Sequence, residues 1–404
     1  DMTRVVFAGG RIFDGTTALP RADVSVEDGR IVDVGPGLGG DTRVDVGGRT
    51  LLPGLFDCHV HLAFGPEDLD TLVSLQRPFS YRFYSAIGNM RATLEAGITT
   101  VRDAGYMDLG MKQAVDDGLV AGPHTQISIN QISQTGGHGD GWMVSGYDLG
   151  DLPYPGFPSG MVDSPDAMRL RVRELVRAGA DVIKVFTTGG VLSPRDDPRH
   201  AHFSDAELAV LVEEATRAGR YVMSHAQGAP GIKAAVRAGI RSIEHGIYLD
   251  DEAIDLMLKH GTWLVPTLVA ARGVIEAADA GANLLEAQIR KARSVVEVHA
   301  EAFRRAVEAG VKIAMGTDSG VTAHGANLKE LILMEAGGMT PLDVLLATTR
   351  SAAELMGIAD EAGSLEAGKR ADIVVVEGDP FTFADLRQRI RAVYKSGTLV
   401  AGAA

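Results

Sequence analysis

Hydrophobic and polar positions divide the chain into stretches of different period. Over the first fifty residues apolar side chains alternate with polar ones, as in "RVVFAGGRIFD", "ADVSVEDGRIVDVG" and "TRVDVGGRTLLPG". Period two predicts short antiparallel strands, with turns at Gly9–Gly10, Asp28–Gly29 and Gly47–Gly48. The same rhythm returns near the end in "ADIVVVEGDP" and "IRAVYKSGTLVAG", with a turn at Ser396–Gly397. Chain ends often lie close together. The two segments, 1–53 and 365–404, are therefore expected to pair into one small composite β-sandwich domain.

Between them, over 54–364, short apolar runs alternate with longer helical patterns. The runs are Leu55–His61, Thr99–Asp103, Thr125–Asn130, Val182–Phe186, Tyr221–His225, Ser242–His245, Thr262–Leu268 and Lys312–Asp318. Helices are expected in "DAMRLRVRELVRAGA", "SDAELAVLVEEATRAG" and "IRKARSVVEVHAEAFRRAVEAG". Ser204 ahead of Glu207 suits a helix start, and Gly219 suits its end. Eight strand–helix alternations predict an α/β protein built on a (β/α)8 TIM barrel. A doubly wound open sheet shares the alternation. The polar residues at the run ends favour the barrel, whose chemistry gathers at the C-terminal ends of its strands. Residues 136–160, rich in Gly, Pro and Asp, read as a long loop after the third strand.

Composition narrows the class. The formal charge of −14 repels nucleic acid and anionic membrane. No apolar run approaches the ~18 residues of a membrane span. The single cysteine, Cys58, excludes an intramolecular disulfide. The start of the chain reads as a strand without a signal-peptide pattern, which makes the cytoplasm the default location. Lysine is scarce, so a lysine in an apolar strand stands out.

The run ends carry the candidate chemistry. His59 and His61 are two apart in "GLFDCHVHL" and share one side of a strand, as the first half of a metal site would require. Cys58 between them should face the other way and serve structure. Lys184 sits inside the apolar "DVIKVF", where a bare ammonium is costly. It must pair with a carboxylate, act as a neutral amine, take up carbon dioxide as a carbamate, or snorkel to the rim. His225 ends the fifth run, His245 the sixth and Asp318 the eighth. Their joint presence, rather than any single motif, points to a metal-dependent site.

With these residues placed, the chain resembles the amidohydrolase superfamily along essentially its whole length. "LLPGLFDCHVHL" and "GSLEAGKRADIVVVEGDP" carry that resemblance. "QISQTGGHGD", "DVIKVFTTGGVLSP", "SIEHG" and "GTDSGVTAHGANLKEL" make it most similar to the prolidase-like branch of dipeptidases and carboxypeptidases, related to ochratoxin-type amidases. The resemblance implies two divalent ions, zinc foremost. His59, His61 and Asp318 would hold one, His225 and His245 the other, and a carboxylated Lys184 would bridge both. It implies hydrolysis of an amide, at a C-terminal peptide bond or in an N-acyl amino acid, by a metal-bridging hydroxide with Asp318 moving the proton. His138 in "QTGGHGD" would contact the substrate. Gln227 stands where several relatives have a tyrosine, which puts strict proline-dipeptide preference in doubt. His324 and Arg195 are further substrate-binding candidates. The partner is thus a small molecule, and the branch tends to homo-oligomers.

Two other readings compete. One keeps the fold and cleaves a different C–N bond, in a carbamate, urea or cyclic amide, or as a deaminase. Lys184 and the absence of glutamate in "HAQGAP" speak against the deaminase form. The other is a non-catalytic scaffold, whose mark would be missing ligands; none is missing.

Overall fold

The computed structural model describes residues 3–16, 18–149 and 154–403. The first five strands are β1 (Val5–Phe13), β2 (Ala18–Glu27), β3 (Arg30–Gly35), β4 (Thr42–Asp45) and β5 (Arg49–Pro53). The middle of the chain supplies β6 (Leu55–Val60), β7 (Ile98–Asp103), β8 (His124–Ile127), β9 (Gln131–Ile132), β10 (Val182–Phe186), β11 (Tyr221–Ala226), β12 (Ser242–His245), β13 (Trp263–Val265) and β14 (Lys312–Ile313). The last three are β15 (Ile373–Glu377), β16 (Ile390–Lys395) and β17 (Thr398–Gly402).

Both ends of the chain meet in one sheet, in the order β17-β16-β15-β5-β1-β2-β3, with β4 on β1. Its seam is the antiparallel pairing of β15 with β5, Val375 opposite Leu51. Alternation buries one face: Phe7, Ile12, Val24, Ile31, Leu51, Ile373, Val375 and Tyr394 form a separate apolar core. Asp28–Gly29 and Ser396–Gly397 form the expected hairpin turns, with positive φ at all four residues. Gly9–Gly10 does not turn. β1 runs through it as a bulge, with Gly9 at φ +82°. There the strand changes partner, pairing with β4 over Val5–Ala8 and with β5 at Arg11–Ile12. A β-bulge redirects a strand without ending it.

The middle strands are parallel and lie in two sheets, β6-β7-β8 and β14-β13-β12-β11-β10-β9. Helices separate most of them. The helix Asp205–Arg217 starts on the expected Ser204–Glu207 capping box, and Gly219 follows its end with φ +68°. The helix Glu286–Ala309 ends on left-handed Gly310. The strand expected over Thr125–Asn130 is cut short. Ile129 has φ +65°, so β8 stays with β7 while β9 joins β10. The regular ladder therefore breaks there rather than running as one ring. Single hydrogen bonds span the outer edges: Asp181 N to Ile127 O at 2.8 Å on one side, and Cys58 N to Met315 O at 2.8 Å and His61 N to Ser319 O at 2.7 Å on the other. Cys58 packs with Phe56, Trp263, Val265 and Ala314, away from the histidines as its place in the strand requires. No helix among the described residues is long and apolar enough to cross a membrane.

Gly54 joins the two regions. Its N–H bonds Asp372 O at 2.7 Å, and a Cβ there would stand 2.0 Å from Thr99 Oγ1 and 2.8 Å from Asp372 Cβ. Gly54→Ala should destabilise the protein by about 1–3 kcal/mol through overpacking, seen as a lower urea midpoint with an unchanged slope.

Candidate metal centre

The C-terminal ends of the parallel strands converge. Each polar run end expected from the sequence arrives on its strand: His59 on β6, Lys184 on β10, His225 on β11 and His245 on β12. His61 follows directly after β6, whereas the eighth run is strand only over its first two residues and Asp318 lies five residues beyond β14. His59 Nε2 lies 3.4 Å and His61 Nε2 3.1 Å from Asp318 Oδ1. Lys184 Nζ lies 3.5 Å from His59 Nε2. The His59 ring is 5.1 Å from that of His245, which is 4.8 Å from that of His225. All six residues thus form one cluster. One donor atom each from His59, His245 and Asp318 lie within 4.8 Å of one another, a spacing that one cation can span.

Each histidine uses one ring nitrogen on the protein and keeps the other. His59 Nδ1 donates to Glu244 Oε2 at 2.8 Å, and His61 Nδ1 to Gly105 O at 3.2 Å. His225 Nε2 donates to Gly189 O at 2.9 Å, and His245 Nδ1 bonds Thr267 Oγ1 at 2.6 Å. Metal-ligating histidines are oriented in this way, with the outer nitrogen on a carboxylate, carbonyl or hydroxyl. The remaining nitrogens, with Asp318 and Lys184, form an N/O donor set suited to divalent first-row ions.

The electrostatics fit a site that binds cations. Burial pushes the His225 and His245 imidazolium forms well below their ordinary range, so both rings are neutral and able to ligate. Burial would raise the Asp318 carboxyl, but the His59 and His61 rings outweigh it and hold it well below the usual carboxylate range. Burial presses the Lys184 ammonium down to about 8, against the pull of Glu244 and Asp318. Backbone strain collects at the same rim. His245, Thr267 and Asp318 have φ of +74°, +50° and +61°. Such left-handed residues cost of order 1–3 kcal/mol each and cluster at functional sites.

A cavity opens beside His225, His245 and Asp318, walled by Val191, Leu192, Ile247, Val274 and Val321. His138 and Gln227 line it as expected. The His138 ring stacks on His225 at 4.3 Å. Gln227 Oε1 is buried without a partner among the described residues, an acceptor left for a ligand. The other two candidates lie elsewhere. Arg195 is exposed and sits over the Trp142 ring at 4.8 Å. His324 donates Nε2 to Phe64 O at 2.8 Å, bracing the turn after His61, and is absent from the cavity wall.

Several residues escaped the sequence reading. Glu244 and Arg102 are fully buried beneath His59 and paired at 2.9 Å. Asp103 accepts from the amides of Leu62 and Gly105. Asp57 accepts from those of His59 and Thr317. Burial raises both aspartates to about 6. His299, given no role from the sequence, lines the cavity and donates to His245 O at 2.8 Å. Charged letters inside apolar runs, "TTVRD" and "SIEH", were the available signal.

Residues 50–400 match the amidohydrolase family, and the chain belongs to it. More particularly, it is 37% identical to the ochratoxinase of Aspergillus niger over 370 residues, covering 87% of this chain and 76% of that one. It superposes on the crystal structure of a Xaa-Pro dipeptidase with methionine bound in its active site, at TM-score 0.89 and 34% identity, over 98% of this chain and 99% of the other. A prolidase complexed with N-methylphosphonate-L-proline gives 0.90 at 34% identity, over 99% and 100%. These neighbours agree with the prolidase-like branch, and the chain is a hydrolase of amide C–N bonds.

Glu244→Gln should cost about 3–5 kcal/mol of stability, because buried Arg102 loses its counter-charge. It should also weaken zinc binding of the folded protein about 10–100-fold, measured by competition with a chromogenic chelator, because His59 loses its anionic anchor.

Proposed function

We propose that the chain is a binuclear metal-dependent hydrolase cleaving a C-terminal peptide bond or the amide of an N-acyl amino acid. In this reading the two parallel sheets are arcs of one (β/α)8 barrel over 54–364. The terminal sheet is a separate β domain over 1–53 and 365–404. The carrying observation is that His59, His61, Lys184, His225, His245 and Asp318 converge, each histidine with its second nitrogen already anchored. Similarity to proteins named ochratoxinase, Xaa-Pro dipeptidase and prolidase supports an amide as the bond cleaved.

His59 Nε2, His61 Nε2 and Asp318 would hold one ion, and His225 Nδ1 and His245 Nε2 the other. Lys184 would lie between them. Burial favours its neutral amine over the ammonium. The nitrogen lone pair can then add to carbon dioxide and lose a proton, giving a carbamate whose single negative charge is shared by two oxygens. Bound divalent ions, zinc foremost, would supply a Lewis acid for the carbonyl and acidify water from 15.7 toward ~7.

The chain's own groups do the rest. Asp318, kept anionic by the two histidines, takes a proton from the attacking water and passes it to the leaving nitrogen. His138 and Gln227 present polar atoms to the groups flanking the amide. The apolar wall receives a hydrophobic side chain, and Gln227 without an aromatic ring fits a substrate broader than proline dipeptides.

Metal analysis after zinc or manganese loading should give about two ions per chain; one or fewer removes the binuclear reading. Asp318→Asn should cut turnover by orders of magnitude on a panel of dipeptides and N-acyl amino acids while the circular dichroism spectrum stays unchanged. Lys184→Ala should lower both the metal content and the rate, and full activity would take Lys184 out of the mechanism.

A further inference from the structure

The loop Gly190–Asp196, after β10, is built around His138 from another loop. One face of the His138 ring stacks on His225, with ring centres 4.3 Å apart and planes at 18°. Gly190 lies against the same ring, where a Cβ would come within 2.2 Å of Cε1 and 2.4 Å of Nδ1. Phe186 packs on the ring edge at 4.9 Å. His138 Nδ1 bonds Ser193 Oγ at 2.6 Å, and Asp196 Oδ2 stands 3.6 Å from the same nitrogen. Ser193 Oγ in turn donates to Asp196 Oδ1.

Every acceptor of Asp196 is engaged. Oδ2 accepts from Gly190 N at 3.0 Å, and Oδ1 accepts from Ser193 and from Lys291 Nζ at 3.2 Å. Lys291 comes from the helix Glu286–Ala309 and also bonds Gly190 O at 2.9 Å and Ser193 O at 2.6 Å. Ser193 Oγ also lies 3.3 Å from Gly190 O, but its far closer approach to Asp196 Oδ1, which can only accept, directs the hydroxyl proton to the carboxylate and leaves the His138 Nδ1 proton to the serine. The ring is thereby fixed in one tautomer, with Nε2 as its remaining polar atom at the cavity. An aspartate that orients a histidine through its far nitrogen is a known device for setting tautomer and direction. Here a serine carries the link and a lysine on a distant helix holds the aspartate.

We propose that Asp196, linked by Ser193 and held by Lys291, is the positioning residue that aims His138 Nε2 into the substrate cavity. This rests on the reading of His138 as a substrate contact.

A double-mutant cycle tests it in the zinc-loaded protein, with the best substrate from a panel of dipeptides and N-acyl amino acids. D196N alone should lower kcat/KM about 10–100-fold. In an H138A background the same change should cost less than about twofold, because its effect passes through the ring already removed. K291M should behave alike with a smaller loss and guards against misfolding of D196N. Equal losses with and without His138, or no loss from D196N in the native background, would overturn the proposal. If H138A is itself silent, the substrate-contact reading falls and the inference with it. A zinc-loaded protein that hydrolyses nothing in the panel would instead sink the proposed function. The crystal structure of D196N then decides the positioning separately: the His138 ring should leave its stack on His225, and an unmoved ring refutes the inference.

Discussion

The centre rests on one buried chain of charge: Arg102 from β7, Glu244 from β12 and His59 from β6. Arg102 bonds Glu244 Oε1 at 2.9 Å, Ser242 Oγ at 3.1 Å and Cys58 O at 2.7 Å. Glu244 passes its other oxygen to His59. None of these side chains reaches solvent by more than a trace. An ion pair out of water is expensive, and it persists only where geometry and extra hydrogen bonds satisfy both partners. Removing one partner of such a pair costs about 3–5 kcal/mol, because the other is left charged and alone. This pair also ties the two parallel sheets together beneath the ions' expected position. His59 in turn touches Lys184, Asp318 and His245, so the aim of the whole donor set is inherited from it.

The strands and the polar residues that converge at the candidate site were legible because their physics is local. Period two marks the terminal strands, and apolar runs ending in His, Lys or Asp mark the site. What sequence could not show is contact across the chain. Glu244 beside His245 reads as one more polar letter until Arg102 and His59 arrive from other strands. Asp196 reads as a surface loop residue until Lys291 reaches it from a helix almost a hundred positions away. Gly9–Gly10 looked like a turn because glycine permits one. The strand runs on because β4 and β5 both lie waiting beside β1. The split third strand depends on a single left-handed residue, Ile129, whose side chain gives no warning of it.

The site is thus a rigid frame around an adaptable wall. Anchored histidines and strained, left-handed positions at the strand ends define the ligand side, where small shifts would be costly. The substrate side is loop, apolar surface and one unpaired glutamine oxygen. Loops on a fixed scaffold are where relatives with one chemistry diverge in what they accept.

The seam between β5 and β15 carries a temporal consequence. The apolar edge at Leu51 and Leu52 leaves the ribosome more than three hundred residues ahead of its partner strand β15. While the intervening residues are made that edge is unpaired, a state prone to association with other chains. The parallel-strand segment between them is complete before the terminal sheet can close. Closure therefore acts as a late stitch, sealing β1 to β5 only after all the parallel strands have been made.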